Sequence, residues 1–245
     1  MLHTTKSATQ RSPFTAVSRA AWAFALLAAL TSPNALFSQE TTVPVPVATP
    51  HVTSRTKLEP GRAASYDNKY EVYGGLIYMN GQAGQNLPNL YSMGGGEVMG
   101  TYWVGDHLGV AADYRLGMGT TALFPNKFYN RVLVSQNILS GGVQWRGVKN
   151  RYAAVDYHAL FGATRGNFDH AIQNYPGGSP ISATNLGLYP NKTSPYAALG
   201  GSIDFNYSAN LAVRVQPDLV LNRFGTGTGV YVAVSGGVMY RFGHR

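Results

Sequence analysis

From Tyr70 to Phe242 the chain repeats one theme, an alternation of apolar and polar positions with a period of two. The closing stretch, Val230–Phe242, shows it most clearly. Its even positions are Val230, Val232, Val234, Gly236, Val238, Tyr240 and Phe242; its odd positions are Tyr231, Ala233, Ser235, Gly237, Met239 and Arg241. One side is apolar and ends in two aromatics, while the other is smaller, mixed and charged. Period two means a strand with two different faces. Soluble strands usually run to about 5–6 residues, whereas a tilted strand crossing a bilayer takes about 9–11. Val230–Phe242 reaches the second length.

Seven earlier segments carry the same pattern: Tyr70–Asn80, Met93–Val104, Leu108–Gly117, Arg131–Arg146, Tyr152–Ala163, Tyr196–Asn206 and Leu211–Leu221. The cleanest is Leu108–Gly117, where Leu108, Val110, Ala112, Tyr114 and Leu116 oppose Asp113 and Arg115. The least regular is Arg131–Arg146, whose start does not declare a face. Pro217 lies in the apolar set of its segment and has no N–H for a ladder, which predicts a bulge or local break there. The segments add up to an all-β protein, an eight-stranded antiparallel up-and-down transmembrane β-barrel.

The charges sharpen this reading. Glu71, Glu97, Asp113, Arg115, Asp156, Asp204, Arg214, Asp218 and Arg241 all fall on the less apolar side of their own segments, and no segment contains Lys. A soluble sandwich would cover its outer face with charge, Lys above all. Few charges of both signs, kept off one face, fit a lumen, because Arg or Lys facing lipid costs about 2–4 kcal/mol at the midplane. The connections alternate as well: 105–107, 147–151 and 207–210 are short, and 81–92, 118–130 and 164–195 are long. Short turns at one end and long loops at the other are the outer-membrane arrangement, with both barrel termini periplasmic and the long loops external.

Composition agrees. The chain has 245 residues with 29 Gly and 16 Tyr, and only 12% of residues are charged. Cysteine is absent, so disulfides, thiol chemistry and a cysteine-built metal site are excluded. The net charge is +8, with about half of the excess in residues 1–69. The remaining basic residues are scattered, which argues against a nucleic-acid partner. Residues 1–38 read as a secretory signal peptide: Lys6, Arg11 and Arg19 precede the apolar core Ala20–Leu30, and Ser32-Pro33-Asn34 breaks it. Residues 39–68 read as a flexible linker rich in Pro and Thr, and 69–243 as the barrel domain.

Three stretches carry a family resemblance: Leu199-Gly200-Gly201-Ser202-Ile203-Asp204, Leu211–Leu219, and Ser235-Gly236-Gly237-Val238-Met239-Tyr240-Arg241-Phe242-Gly243. With them, residues 69–243 resemble the small outer-membrane β-barrel proteins of Gram-negative bacteria, the OmpA-like/porin-family barrel domain, and most closely its acidobacterial-type versions. The resemblance implies a cell outer membrane location amid outer-membrane lipid and lipopolysaccharide. It also implies that Tyr240 and Phe242 form the signal read by the barrel-assembly machinery, although Gly243-His244-Arg245 follow where the family commonly ends on Phe. It does not name an external ligand.

The candidate functional residues are those expected in the lumen: Glu97, Asp113, Arg115, Asp156, His158, Asp204, Arg214, Asp218 and Arg241. An eight-stranded barrel is just wide enough for side chains to fill it, and buried charges must be paired, so the expectation is a plug of paired charges in a structural or surface-interaction protein. The alternative is a small gated channel or porin, in which the pairs rearrange to pass ions or small solutes. A lipid-modifying enzyme would use Asp156 and His158 as orienting acid and general base. However, no motif selects a nucleophile among Ser135, Ser140, Ser202 and Ser235, so the protein reads as a non-enzyme with no catalytic residue. His51, His107, His170 and His244 offer no metal-ligand spacing, and Gly94-Gly95-Gly96 and Gly141-Gly142 are not phosphate loops, so neither metal nor cofactor is expected. The aromatics Tyr70, Tyr78, Tyr102, Trp103, Trp145, Tyr152, Tyr157, Tyr196, Tyr240 and Phe242 are expected as interface girdles. The loop 164–195, with Tyr175-Pro176-Gly177-Gly178, is the expected external contact surface.

Overall fold

The structure, a computed structural model, describes residues 64, 66–85, 87, 90–123, 131–168 and 183–244. The signal segment 1–38, nearly all of the linker and the loop tip at Tyr175-Pro176-Gly177-Gly178 lie outside the described residues.

Among the described residues eight strands run in chain order: β1 Asn68–Gly81, β2 Tyr91–Trp103, β3 Leu108–Ala122, β4 Arg131–Lys149, β5 Ala153–Asn167, β6 Lys192–Asn206, β7 Leu211–Asn222 and β8 Gly229–His244. A 3-10 turn, Ala183–Leu186, lies between β5 and β6. Each strand pairs antiparallel with the next, and β8 returns to β1, closing the barrel. At the seam Glu71 is opposite Arg241 and Val72 is opposite Tyr240. Closure satisfies every edge, which a sheet in lipid requires.

The alternation sorts side chains to the two faces. Leu76, Val98, Tyr114, Leu139, Phe161, Val213 and Val238 are among a belt of exposed apolar residues that draws on every strand. A soluble monomer rarely exposes an apolar patch beyond about a few hundred Å², so the belt is a lipid face. The opposite set is buried inside the barrel. The interior is narrow enough to constrain backbone choice: a Cβ at Gly95 would run into the carbonyl of Leu116 on the neighbouring strand, so only glycine fits there.

Several expectations need correction. The strands are longer than the alternating segments, mostly toward the long loops: β3 continues to Ala122, β5 to Asn167, and β6 begins at Lys192. These extensions bring lysines into the strands, as Lys69, Lys149 and Lys192 at their ends. At Pro217 the expected local break is present, without a bulge. Pairing of β6 with β7 lapses between Gly200–Asp218 and Ile203–Val215 but resumes in the same register, as expected from one missing donor. A register shift instead falls between Arg146 and Lys149, beside the turn into β5. Trp103 and Tyr196 are not girdle residues: both are buried, at 1% and 3% exposure, on the lumen side of their strands.

Candidate functional site

The lumen divides along its axis. Strand positions near the short turns 104–107, 150–152 and 207–210 place charged side chains inside. Positions nearer the long loops place Met79, Met93, Ile138, Val220 and Phe224 there.

The charged half has two tiers. In the first, nearest the short turns, Arg214 on β7 faces Asp204 on β6 through two bonds, Nε to Oδ1 at 2.6 Å and Nη2 to Oδ2 at 2.9 Å. A forked pair of this kind is the strong geometry for a guanidinium. The same Nη2 is 3.3 Å from Asp156 and 3.5 Å from Glu71. Arg241 reaches Glu71 at 3.4 Å and Asp204 at 3.2 Å. Arg146 pairs with Glu71 and lies 3.6 Å from Asp156, while its guanidinium stacks 3.8 Å from the centroid of the Trp103 ring. Three arginines thus meet three carboxylates with no net charge.

The second tier centres on Arg115. Its Nε donates to Asp113 at 2.7 Å, and Nη2 is 2.6 Å from Asp218 and 3.1 Å from Glu97. Nη1 donates to the Tyr196 hydroxyl at 3.2 Å. His158 Nε2 lies 2.8 Å from the other Asp218 oxygen, and Ser140 donates to Asp113 at 3.3 Å. Two amides tie the network together: Gln144 donates to Asp156 at 2.9 Å and accepts from Thr101 at 2.7 Å, and Gln216 donates to Glu97 at 2.8 Å.

All nine expected lumen residues lie in this network, and all are buried. Asp156 and His158 are on one strand face but do not bond each other; His158 pairs with Asp218, and Asp156 with Arg214 and Gln144. Besides Thr101, Ser140 and Tyr196, the members absent from the expected set include Glu71, Arg146, Gln144 and Gln216. Their signal was the same parity that marked the others. Arg146 was the hardest to see, because its segment had an ambiguous start and it stands beside the register shift.

Tyr66 covers the short-turn mouth of this network. Its hydroxyl donates to the Asn150 carbonyl and accepts from Asn206 Nδ2, each at 2.8 Å. Its ring lies 4.9 Å from the Arg241 guanidinium and 5.2 Å from that of Arg146. Burial raises its phenol pKa above the usual value, against the opposing pull of the Asn206 bond.

At the opposite mouth, a cavity of about 200 Å³ opens among Gln82, Gln85, Tyr189, Asn222, Phe224, Tyr231 and residues 225–229. Outside the barrel at the short-turn end, Tyr70 stands 5.4 Å from both Tyr102 and Phe242, and Tyr240 stacks 6.0 Å from Phe242. Among the described residues, no group of three or more His, Cys, Asp or Glu is placed to hold a metal ion.

The outer membrane protein OprG from Pseudomonas aeruginosa superposes with a TM-score of 0.50 and 12% identity, over 76% of this chain and 99% of that one. The chain has the fold of the small outer-membrane β-barrels. Neisserial surface protein A has a TM-score of 0.49 and 14% identity over 71% of this barrel's chain and 97% of its own. Ail, the attachment invasion locus protein of Yersinia pestis, has a TM-score of 0.44 and 14% identity over 72% and 99%. No protein-family model matches the sequence, and neither does any curated protein.

Proposed function

We propose that the protein is an outer-membrane β-barrel of the OmpA-like, porin-family kind with a structural or surface-interaction role. The observation that carries this is the ion-pair network. It spans the lumen with buried side chains drawn from all eight strands, so the barrel presents an exterior rather than a passage. In this reading the belt contacts outer-membrane lipid, with lipopolysaccharide in the external leaflet. Both termini of the barrel are periplasmic, and the long loops meet the outside. Tyr240 and Phe242, outward and stacked at the short-turn end of the last strand, serve the barrel-assembly machinery.

Planar-bilayer recording tests the closed lumen: reconstituted protein is expected to give no conductance steps, and regular steps would overturn it. Cell fractionation with heat-modifiable gel migration tests the location, and a soluble product would defeat it.

A small gated channel is the second reading. It draws on Arg214, whose Nη2 touches Asp204, Asp156 and Glu71 together and so has alternative partners to exchange. A lipid-modifying role has weaker support, because His158 is engaged with Asp218 inside the barrel. Lipid A mass spectra with and without expression are expected to be identical.

A further inference from the structure

The cavity at the long-loop mouth is built from three separate stretches of chain. Gln82 and Gln85 come from the β1–β2 connection, Tyr189 from the β5–β6 connection, and Asn222, Thr226 and Tyr231 from the end of β7, its loop and the start of β8. Its walls are braced. Gln85 Nε2 donates to Thr226 Oγ1 at 2.8 Å across the cavity rim. The Tyr189 backbone N–H donates to the Ala83 carbonyl at 2.7 Å, and its ring packs at 27° on Phe224 and edge-on to Phe168. A Cβ on Gly229 would collide with the Tyr231 phenol, so glycine is what lets that ring turn into the cavity. Below, Leu186, Leu188, Phe168 and Phe224 are buried and form a floor.

The lining has a definite chemistry. Among the described residues its lining is amides, hydroxyls, phenols, glycines and the ring of Phe224, with no acid and no base, while the Arg223 guanidinium donates to the Thr226 carbonyl at 3.3 Å beside it. Such groups offer donors and acceptors side by side, while the tyrosines add apolar ring faces with polar tips. An anion would want a cation in the wall, a cation would want a carboxylate, and an acyl chain would want an apolar wall. At about 200 Å³ the space falls below the roughly 300–1,000 Å³ of sites for drug-sized ligands. What remains is one small, uncharged ring that carries hydroxyls around its edge.

We propose that this cleft binds a neutral pyranose, the terminal sugar of a glycan met outside the cell. The assignment rests on the outer-membrane reading above, which turns this mouth outward. The probes are the methyl glycosides of glucose, galactose, mannose and N-acetylglucosamine, with glucose 6-sulfate as the charged control. Each is titrated against the full chain in lipid nanodiscs by saturation-transfer difference NMR. At least one neutral sugar gives a saturable signal. Gln85→Ala, in a loop, and Tyr231→Phe, which keeps the ring, each weaken it by about tenfold, as the loss of a well-made hydrogen bond does. No saturation with any of the four, unchanged affinity in both variants, or tighter binding of the sulfated sugar overturns the proposal. Orientation is read separately. The chain has no cysteine, so Thr228→Cys gives a single thiol for a membrane-impermeant maleimide on intact cells. Labelling places the cleft outside; protection of the thiol overturns the orientation, while the nanodisc titration still decides the sugar.

Discussion

The two halves of the lumen fill the same narrow space by different physics. Toward the short turns, four buried arginines face six carboxylates, and each guanidinium is paired. Toward the long loops, Met79, Met93, Ile138 and Val220 pack with Tyr91 and Tyr231, and a representative polar contact is Gln136 donating to the Tyr91 hydroxyl at 2.8 Å. Ion pairs are directional, and a partner left alone in low dielectric is costly. Apolar packing is not directional and tolerates swaps that keep volume. One half therefore specifies geometry, and the other fills space.

That contrast can be broken or sharpened by substitution, read as unfolding free energy from urea titration of protein refolded in lipid vesicles. The largest effect is expected from Arg214→Met, which leaves Asp204, Asp156 and Glu71 facing one another and costs about 3–5 kcal/mol. A loss well below 1 kcal/mol would show the first tier to be loosely held. In the other half, Ile138→Ala opens a cavity and costs about 2–5 kcal/mol, whereas Ile138→Leu stays under about 1.5 kcal/mol; equal costs for the two would mean that shape is as strictly specified there as charge is below. Next on the same strand, Leu139→Arg puts a charge on the lipid face and costs about 2–4 kcal/mol, and no cost would deny the belt. The smallest effect is expected from Tyr66→Phe, which removes one hydroxyl from the mouth and costs about 0.5–1.5 kcal/mol. Bilayer recordings of this variant stay silent if the ion pairs are the seal; conductance steps would assign the seal to Tyr66 instead.

The same division explains which parts of the molecule the sequence revealed. In the charged half, the two faces differ strongly in polarity, so Asp113 and Arg115 against Val110, Ala112 and Tyr114 are read at once. Near the long loops that contrast fades. Val132, Val134 and Ile138 point inward on β4 and are apolar, which is why the start of that segment declared no face. Farther up, on β5 and β6, Arg165 and Thr193 face outward while Thr164 and Ser194 are buried. Both faces are polar there, and the alternation that defines a strand disappears although the ladder continues. Trp103 and Tyr196 follow parity rather than proximity to a strand end; an aromatic belongs to the girdle only if its position is outward. The cleft was invisible because its residues are neutral, come from three connections and share no spacing.

The seam has a consequence for how the molecule forms. Glu71 and Arg241 lie opposite each other and 3.4 Å apart, yet they are separated by 170 positions in the chain. Contacts of such long range are costly in loop entropy until everything between them is in place. The first strand made during synthesis therefore waits for the last, and the Glu71–Arg241 contact reports completion rather than nucleation. Substitutions at this pair are expected to change how fast the finished ring opens more than how fast its hairpins gather, so the pair acts as a kinetic latch on the folded barrel.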